Sequence, residues 1–213
     1  MSSSGQFLAG VSCCGYNGGS GILTSSDYGE SWIVTPASYS NWWRIGSNSS
    51  GQFLAVTDSG GGIWVSSDYG TIWTQTGAPS KSWGDIAVSS SSQFLAASSC
   101  CDFQIWVSTD SGSTWAQLTS TSGIGSGNFA MSSSGQFLIV ASNAGAIHVS
   151  SNYGSTWTVS SAPNTNWSSV TMSSSGQYQA ATIGNFNAGI YGGIYVSSDY
   201  GSTWVVTSAP TAS

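Results

Sequence analysis

The amino-acid sequence predicts an all-β protein, a five-bladed β-propeller of four-stranded antiparallel blades in which the innermost strand of one blade is missing. Three observations support this prediction. One octet recurs five times, short apolar runs alternate with segments rich in Gly, Ser, Asn and Asp, and no segment combines a helical period with helix caps. Four-stranded units of about 40–45 residues are typical of propeller blades.

The repeated octet starts at a serine and ends at a tryptophan, and it occupies residues 25–32, 66–73, 108–115, 150–157 and 197–204. Successive copies are spaced by 41, 42, 42 and 47 residues. A second marker, a glutamine followed by an aromatic residue, recurs at Gln6, Gln52, Gln93, Gln136 and Gln177. We therefore expect a single domain over residues 1–213, built from five similar units.

Each unit contains four apolar runs, here called strands A to D from the innermost to the outermost. In one stretch of the chain, strand B covers residues 52–56, strand C 62–66, strand D 73–76 and the next strand A 83–88. Every strand C has an isoleucine, followed two residues later by valine in four of the five units, and these two side chains lie on one face of the sheet. The residue between them, which is large in most units, lies on the other face. A sheet that is apolar on both faces needs a neighbouring sheet on each side, which a propeller provides.

The octet resembles the Asp-box, also called the BNR repeat, with the pattern Ser/Thr-x-Asp-x-Gly-x-Thr/Ser-Trp. The resemblance implies a corner between strands C and D, in which the Asp accepts turn hydrogen bonds, the Gly adopts positive φ and the Trp fills the blade edge. Asn152 keeps the acceptor without the charge, which favours a structural role over catalysis or calcium binding. The residues expected to have this role are Asp27, Gly29, Trp32, Asp68, Gly70, Trp73, Asp110, Gly112, Trp115, Asn152, Gly154, Trp157, Asp199, Gly201 and Trp204.

Proteins with this repeat include sialidases, sortilin-like sorting receptors, photosystem assembly factors and glycan-active enzymes. Sialidases hold a substrate carboxylate with three arginines and pair a tyrosine nucleophile with a glutamate. This sequence has one arginine, Arg44, and one glutamate, Glu30, which lies inside an octet. The resemblance therefore implies the fold without sialidase chemistry.

No other catalytic, metal or cofactor site is predicted. His148, the one histidine, takes the place of a large strand-C residue, which favours packing over catalysis. The vicinal pairs Cys13–Cys14 and Cys100–Cys101 lack metal-ligand spacing, so we expect small buried or half-buried thiols, with a redox-sensitive turn as the alternative.

Composition excludes two classes of partner. The chain has two basic and eight acidic residues, a net charge of −6, which is unsuitable for a phosphate-binding face, so we expect no nucleic-acid binding. No run of apolar residues is long enough to cross a membrane as a helix. The sequence does not indicate a cellular compartment.

Departures from the repeat indicate where a ligand would bind, because equal parts of a repeat are typically scaffold. The first and fifth units have longer B–C loops, residues 11–21 and 183–193, and strand A begins with tryptophan in three units. These features predict a glycan- or peptide-binding site on the face opposite the octets, formed by Tyr16, Asn17, Trp42, Trp43, Asn185, Phe186 and Tyr191. In the alternative interpretation the tryptophans that begin strand A pack between blades and the long loops cover a seam.

The repeat register also predicts one incomplete blade. Met1 aligns with Met131 and Met172, which end strand A, so most of one innermost strand is absent from the 213 residues. We expect either a three-stranded blade at the seam, whose open edge would allow oligomerisation, or a fragment of a longer repeat array.

The predicted function is a non-catalytic scaffold or binding module. A glycan-binding, lectin-like propeller is the alternative, and a glycoside hydrolase-like enzyme is a third interpretation. The last would require Asp58, Asp85 and Asp102 to converge on one pocket.

Overall fold

The computed structural model describes residues 1–12, 21–37, 40–102, 104–118, 127–142, 145–185 and 190–209, with the backbone alone at 185, 190 and 191. These residues form nineteen short strands arranged in five antiparallel sheets, and they contain no helix. The chain divides into two compact units, Met1–Gln117 and Leu118–Ser213. The predicted all-β architecture of five blades is confirmed.

The first unit contains three blades. The first blade is a three-stranded sheet of β1 (Leu8–Val11), β2 (Ile22–Ser25) and β3 (Ile33–Val34). The second blade has the strands β4 (Trp42–Ser47), β5 (Leu54–Asp58), β6 (Ile63–Ser66) and β7 (Thr74–Gln75). The third has β8 (Trp83–Val88), β9 (Leu95–Ser99), β10 (Ile105–Ser108) and β11 (Ala116–Gln117).

The second unit contains the fourth and fifth blades. The fourth blade has the strands β12 (Gly127–Met131), β13 (Leu138–Ser142), β14 (Ile147–Ser150) and β15 (Thr158–Val159). The fifth has β16 (Trp167–Met172), β17 (Gln179–Asn185), β18 (Ile190–Ser197) and β19 (Val205–Val206). All five blades are meanders in which sequential strands pair, as expected for strands A to D.

One blade lacks an inner strand, as the register predicted. The strand-B position is taken by β1, β5, β9, β13 and β17, and in blades two to five this strand pairs with a strand A on one side and a strand C on the other. Within the described residues β1 pairs with β2 alone. The first blade is therefore three-stranded in this structure.

The structure shifts some strand ends from their predicted positions. Strand β5 begins at Leu54, whereas the sequence predicted a start at Gln52. The cause is a turn that precedes the strand: Asn48 donates its backbone N–H to the carbonyl of Phe53, and the Asn48 side-chain oxygen accepts the Phe53 N–H. Gln52 and Phe53 therefore belong to a closed turn that leads into the strand.

The core consists of layers in and between adjacent blades of each unit. Strands β5, β9 and β13 are buried at all five of their residues, since each lies inside its sheet and is covered on both faces. In the first unit one cluster groups Ile22 with Trp42 and Val56, and a second groups Phe53 and Ile63 with Trp83. In both, a tryptophan that begins strand A packs on the isoleucine of strand C in the preceding blade.

Candidate functional site

The five octets form corners with the same backbone turn, and the third copy illustrates the hydrogen bonds that most of them share; in the fourth corner the indole N–H of Trp157 is buried without a partner. Asp110 Oδ1 accepts from the Ser108 hydroxyl at 2.8 Å and from the Thr114 backbone N–H at 2.8 Å, while Oδ2 accepts from the Thr114 hydroxyl at 2.6 Å. The indole N–H of Trp115 donates to the carbonyl of Gly112 at 3.1 Å. The hydrogen bonds to both oxygens of the Asp110 carboxylate therefore come from residues of its own turn.

These donors lower the pKa of the corner aspartates, because they stabilise the ionised carboxyl group. The pKa of Asp27 falls from 3.8 to about 2, chiefly through the Ser31 hydroxyl, and the pKa values of Asp68, Asp110 and Asp199 are also lowered by hydrogen bonds. Asn152 makes the same corner: its Oδ1 accepts from Ser150 and Thr156, and its Nδ2 donates to the Thr156 hydroxyl. A neutral amide thus replaces the carboxylate without changing the turn.

A residue in the left-handed region follows the Asp or Asn of every corner. Four of these five residues are tyrosines, with φ of 62° at Tyr28, 59° at Tyr69, 59° at Tyr153 and 60° at Tyr200. The strain of this conformation is offset where the ring stacks on the preceding blade: Tyr69 lies 4.5 Å from Phe7 and Tyr200 4.7 Å from Phe137, between ring centroids. These rings link adjacent blades on the octet side.

Most of the predicted ligand-binding residues cannot be placed side by side. Tyr16, Asn17 and Phe186 lie outside the described residues, as do Cys13 and Cys14. Asn185 ends β17 and Tyr191 lies in β18, where the structure describes the backbone. The convergence of the two long loops therefore stays a prediction.

The expectation that Trp42 presents its ring to a ligand is wrong. Its side chain is 1% exposed and packs on Ile22 and Val56 in the first unit's core. Trp83 and Trp167, which also begin strand A, are buried in the same way, as the alternative interpretation expected. The reason is that a strand-A tryptophan is directed between blades, where it also meets the large residue of strand C edge to face, as Trp42 meets Trp64 at 6.2 Å.

The next residue, Trp43, is exposed to solvent, and its role in a ligand site stays a prediction. Trp42 pairs with Asp58 and Arg44 with Thr57, so Trp43 is the extra residue of a β-bulge. The bulge turns its ring outward, and the side chain is 43% exposed. The corresponding residues in the other blades are small: Gly84, Gly127 and Ser168.

A guanidinium group stacks on this exposed indole. The Arg44 Cζ atom lies 5.1 Å from the centre of the Trp43 ring, and Arg44 Nη1 donates to the Trp43 carbonyl at 3.2 Å. The electrostatic influence of Arg44 also reaches Cys100, although burial dominates there and raises the pKa of that thiol. Cys100 is half-buried and Cys101 exposed, and both are free thiols, so the expectation of buried or half-buried thiols holds for Cys100 and is wrong for Cys101.

The second basic residue of the chain lies near the same loops. Lys81 Nζ pairs with Asp102 Oδ2 at 2.5 Å and lies 5.8 Å from the centre of the Trp106 ring. The Lys81 backbone N–H donates to Gly61 in the B–C loop of the second blade. We call Trp43, Arg44, Lys81, Cys100 and Asp102 the loop-face cluster.

Three further carboxylates, Asp58, Asp85 and Asp102, each accept hydrogen bonds from different groups. Asp58 accepts from the Ser40 hydroxyl at 2.5 Å and the Gly60 N–H at 2.7 Å, which closes its own loop. Asp85 Oδ1 accepts the Ile86 N–H, and Asp102 pairs with Lys81 and the Ser99 hydroxyl. Each carboxylate is engaged by a different local partner.

Two cavities of the described residues lie elsewhere. One of about 160 Å³ lies between the first and second blades and is lined by Leu8, Ala9, Ile33, Leu54 and Tyr69 among others. Another of about 500 Å³ lies on the fifth blade beside Met172, Tyr178 and Val205. Neither contains Asp58, Asp85 or Asp102, and no group of three or more metal-ligating side chains occurs in the described residues.

His148 lies in β14, opposite Val140 of β13 and Val159 of β15. Burial lowers the pKa of its imidazole, and its Nδ1 is buried without a hydrogen-bond partner in the structure. A neutral packed histidine, as the sequence favoured, accounts for this environment.

Sequence reasoning missed two residues. Thr57 joins the second and third blades, because its hydroxyl donates to the carbonyl of Gly84 at 2.8 Å. Arg44 was considered only as the one arginine of the chain and not as the stacking partner of Trp43. That contact depends on the bulge, whose position the alternation of the local sequence does not indicate.

Comparison with known proteins gives the family of the repeat. The model of the BNR-Asp box repeat matches residues 63–76 and 194–207, which contain two of the five octet corners. No curated protein matches this sequence. Among solved structures, a GH74 enzyme of Niastella koreensis has a TM-score of 0.72 at 20% identity, over 96% of this chain and 30% of that one.

The chain is a β-propeller that carries BNR-Asp box repeats.

Other propellers similar to this one have different roles. A structure of a nidogen/laminin complex has a TM-score of 0.67 at 15% identity, covering 90% of this propeller and 72% of that chain. A structure of YCF48 bound to a D1 peptide has a TM-score of 0.61 at 16% identity, covering 87% and 60%. The propeller spans about a third of the length of the GH74 structures, and at these identities the likeness shows the fold alone. The described residues contain no helix suited to crossing a membrane.

Proposed function

We propose that this propeller is a non-catalytic binding module that binds a peptide or a glycan on the face opposite the octets, here called the loop face. The observation that supports the proposal is Trp43, an exposed indole on a β-bulge with a guanidinium stacked against it. Aromatic surfaces of this kind bind both the apolar faces of sugars and peptide side chains. The other blades have small residues at this position, so the feature departs from the repeat where the repeat is otherwise constant.

The carboxylates argue against the alternative, a glycoside hydrolase-like enzyme. Such an enzyme needs two carboxyl groups on either side of one glycosidic bond, about 5–10 Å apart. In the described residues Asp58, Asp85 and Asp102 close separate loops or pair with Lys81, and the corner aspartates accept hydrogen bonds from their own turns. The propellers with similar structures include both GH74 enzymes and a peptide-bound protein, so both ligand classes are tested.

The experiment titrates a panel of neutral oligosaccharides and a panel of extended peptides while following tryptophan fluorescence. We expect one class to change the emission in a saturable way, and Trp43→Ala to weaken the affinity about tenfold or more, since truncating an aromatic residue at the centre of a binding site costs about 2 kcal/mol or more. The matched control is Trp32→Phe, which removes an equally exposed indole on the octet side.

Two results would contradict the proposal. Binding that is unchanged in Trp43→Ala but lost in Trp32→Phe would place the ligand on the octet side. Hydrolysis of an oligosaccharide by the purified propeller, abolished by a substitution at Asp58, Asp85 or Asp102, would establish the enzymatic alternative.

A further inference from the structure

Two adjacent cysteines, Cys100 and Cys101, lie in the B–C loop of the third blade, beside the loop-face cluster. Cys101 is exposed, Cys100 is half-buried, and both are free thiols. Cys13 and Cys14 have the same place in the first repeat, since each pair begins seven residues after the repeated glutamine, at positions 6 to 13 and 93 to 100. The other three repeats contain no cysteine. The thiol pair is therefore a departure from the repeat that occurs twice in the chain.

The backbone and the sulfur of Cys100 both face the start of strand β8. The Cys100 backbone N–H donates to the carbonyl of Ser82 at 2.8 Å. A carbon added at Gly84 would lie 3.2 Å from Cys100 Sγ, so the sulfur is placed beside the backbone of this inner strand. Burial raises the pKa of the Cys100 thiol, which therefore stays protonated at neutral pH.

The residues around Cys101 close the loop and leave Cys101 itself accessible. The hydroxyl of Ser99 donates to Asp102 Oδ1 and accepts the backbone N–H of Gln104 at 3.1 Å. Asp102 also pairs with Lys81 through its other carboxylate oxygen. Cys101 therefore lies between anchored residues while its own side chain is exposed.

We propose that Cys100 and Cys101 form a site of reversible thiol oxidation, at which a low-molecular-weight disulfide converts the pair to a disulfide between adjacent residues. Cys101 reacts first because it is accessible, and Cys100 resolves the mixed disulfide because it is the next residue in the chain. An accessible thiol beside a resolving cysteine is typical of redox-sensitive sites.

The reaction consists of two thiol–disulfide exchange steps. The Cys101 thiolate, whose proton has gone to solvent, attacks one sulfur of the small disulfide and releases the other half as a thiolate. Cys100 Sγ then attacks Cys101 Sγ, and the second half leaves with the Cys100 proton. The protein sulfurs lose two electrons, and the small disulfide is reduced to two thiols.

The product is strained, so the oxidation is readily reversed. Consecutive Cα atoms are about 3.8 Å apart across a trans peptide, whereas an ordinary disulfide joins Cα atoms about 4.4–6.8 Å apart. Strained disulfides are reduced more easily than structural ones. In the oxidised ring the Cys100 sulfur is bonded to Cys101 and leaves its place beside Gly84, so oxidation changes the surroundings of the loop-face cluster.

The test exposes the reduced chain to oxidised glutathione, blocks the remaining free thiols by alkylation and measures the masses of tryptic peptides. Trypsin cleaves after Arg44 and Lys81, the two basic residues of the chain, so the two cysteine pairs separate onto peptides 1–44 and 82–213. We expect peptide 82–213 to escape alkylation at both cysteines and to retain no glutathione. A glutathione buffer that leaves an ordinary structural disulfide oxidised should reduce this one.

Two matched variants assign the two steps. Cys100→Ser keeps the accessible thiol and removes the resolving one, so glutathione should accumulate on Cys101. Cys101→Ser removes the attacking thiol and should slow the loss of free thiol from peptide 82–213 about tenfold or more, because Cys100 is half-buried and protonated. If a variant does not fold, limited alkylation of the native chain tests the same order and should label Cys101 before Cys100.

Absence of any oxidation of peptide 82–213 would overturn the proposal. So would a mixed disulfide that persists on the unmodified chain, because Cys100 would then not resolve it, and so would equal reaction rates for the two variants. A dimer linked through Cys101 would show that this thiol pairs between chains instead. None of these measurements uses a ligand of the loop face, so failure here is distinguishable from failure of the proposed loop-face function.

Discussion

At the scale of single residues, the repeat places the same amino acid, isoleucine, at equivalent positions that differ in burial. Ile63 and Ile194 hold the same strand-C position, and each lies opposite a threonine of strand B, Thr57 and Thr182. Ile63 is 0% exposed and packs in a cluster with Trp83, whereas Ile194 is 38% exposed. The two positions therefore differ in packing while the local pairing is the same.

We expect Ile63→Ala to lower the free energy of unfolding by about 2–5 kcal/mol, because it leaves a cavity against Trp83. Ile194→Ala should cost about 1 kcal/mol or less, since a partly exposed side chain leaves no enclosed cavity. Urea denaturation of both variants measures the difference. Equal losses would mean that Ile194 is covered in solution by something that packs as Trp83 does.

The adjacent residues Trp42 and Trp43 show where residue-level prediction stops. Both are tryptophans at the start of strand A, and the sequence placed both in the ligand site. A one-residue bulge sends the first into the core and the second to solvent. The register also shifts after Trp83 in the third blade and after Trp167 in the fifth, but small residues follow those tryptophans, so only in the second blade does the shift expose a second indole.

At the scale of elements, the octet corners were the most predictable part of the structure. Five copies of nearly the same sequence give the same turn, since the Asp or Asn, the positive-φ Gly and the Trp all act within the eight residues. The strand ends were less predictable, as at β5, where the Asn48 side chain closes a turn over residues expected to be strand. The long B–C loops have no repeat to fix them.

The corners also give the fold a defined acid sensitivity. The pKa of Asp27 is lowered from 3.8 to about 2, and those of Asp68, Asp110 and Asp199 are lowered as well. A carboxyl group whose pKa is lower in the folded chain stabilises the fold above its unfolded pKa. That stabilisation is lost as the pH falls towards the folded value. For Asp27 the loss therefore lies between pH 3.8 and about 2.

We expect the urea midpoint to decline slightly below about pH 6.5, where His148 of the unfolded chain takes up a proton more readily than the buried imidazole, and to fall further below about pH 4, where the corner aspartates titrate. Asp27→Asn should fold with the same corner, as Asn152 does, and should reduce the slope below pH 4, because one titrating group is removed. The matched control is Asn152→Asp, which adds a titrating group in the equivalent corner and should steepen the slope. Identical pH profiles for all three chains would contradict the assignment of the stability loss below pH 4 to the corner aspartates.

At the scale of the whole molecule, the scaffold was predictable and the ligand surface was not. Repeated positions such as Leu54, Leu95 and Leu138 are all buried, so the burial pattern of one repeat predicts that of the others. The loop-face cluster consists of single departures, Arg44 and Lys81 among them, that no second copy explains. Its geometry depends on contacts between loops of neighbouring blades, such as the bond from Lys81 to Gly61.

The charge of the molecule leads to the last prediction. The chain has two basic and eight acidic residues, and Lys81–Asp102 is the one ion pair within the described residues. Burial of apolar side chains and backbone hydrogen bonds must therefore stabilise the fold, with a weak self-repulsion from the net charge of −6. Sodium chloride screens that repulsion and leaves apolar burial nearly unchanged.

We expect the thermal midpoint at neutral pH to rise by no more than about 3 °C between low salt and roughly 0.5 M salt. We also expect Lys81→Met to lower the free energy of unfolding by less than about 1 kcal/mol, the usual range for a partly exposed ion pair. Differential scanning calorimetry across a salt series measures both quantities. A midpoint that falls by several degrees as salt is added would show that ion pairs, and not the apolar layers between blades, hold this propeller together.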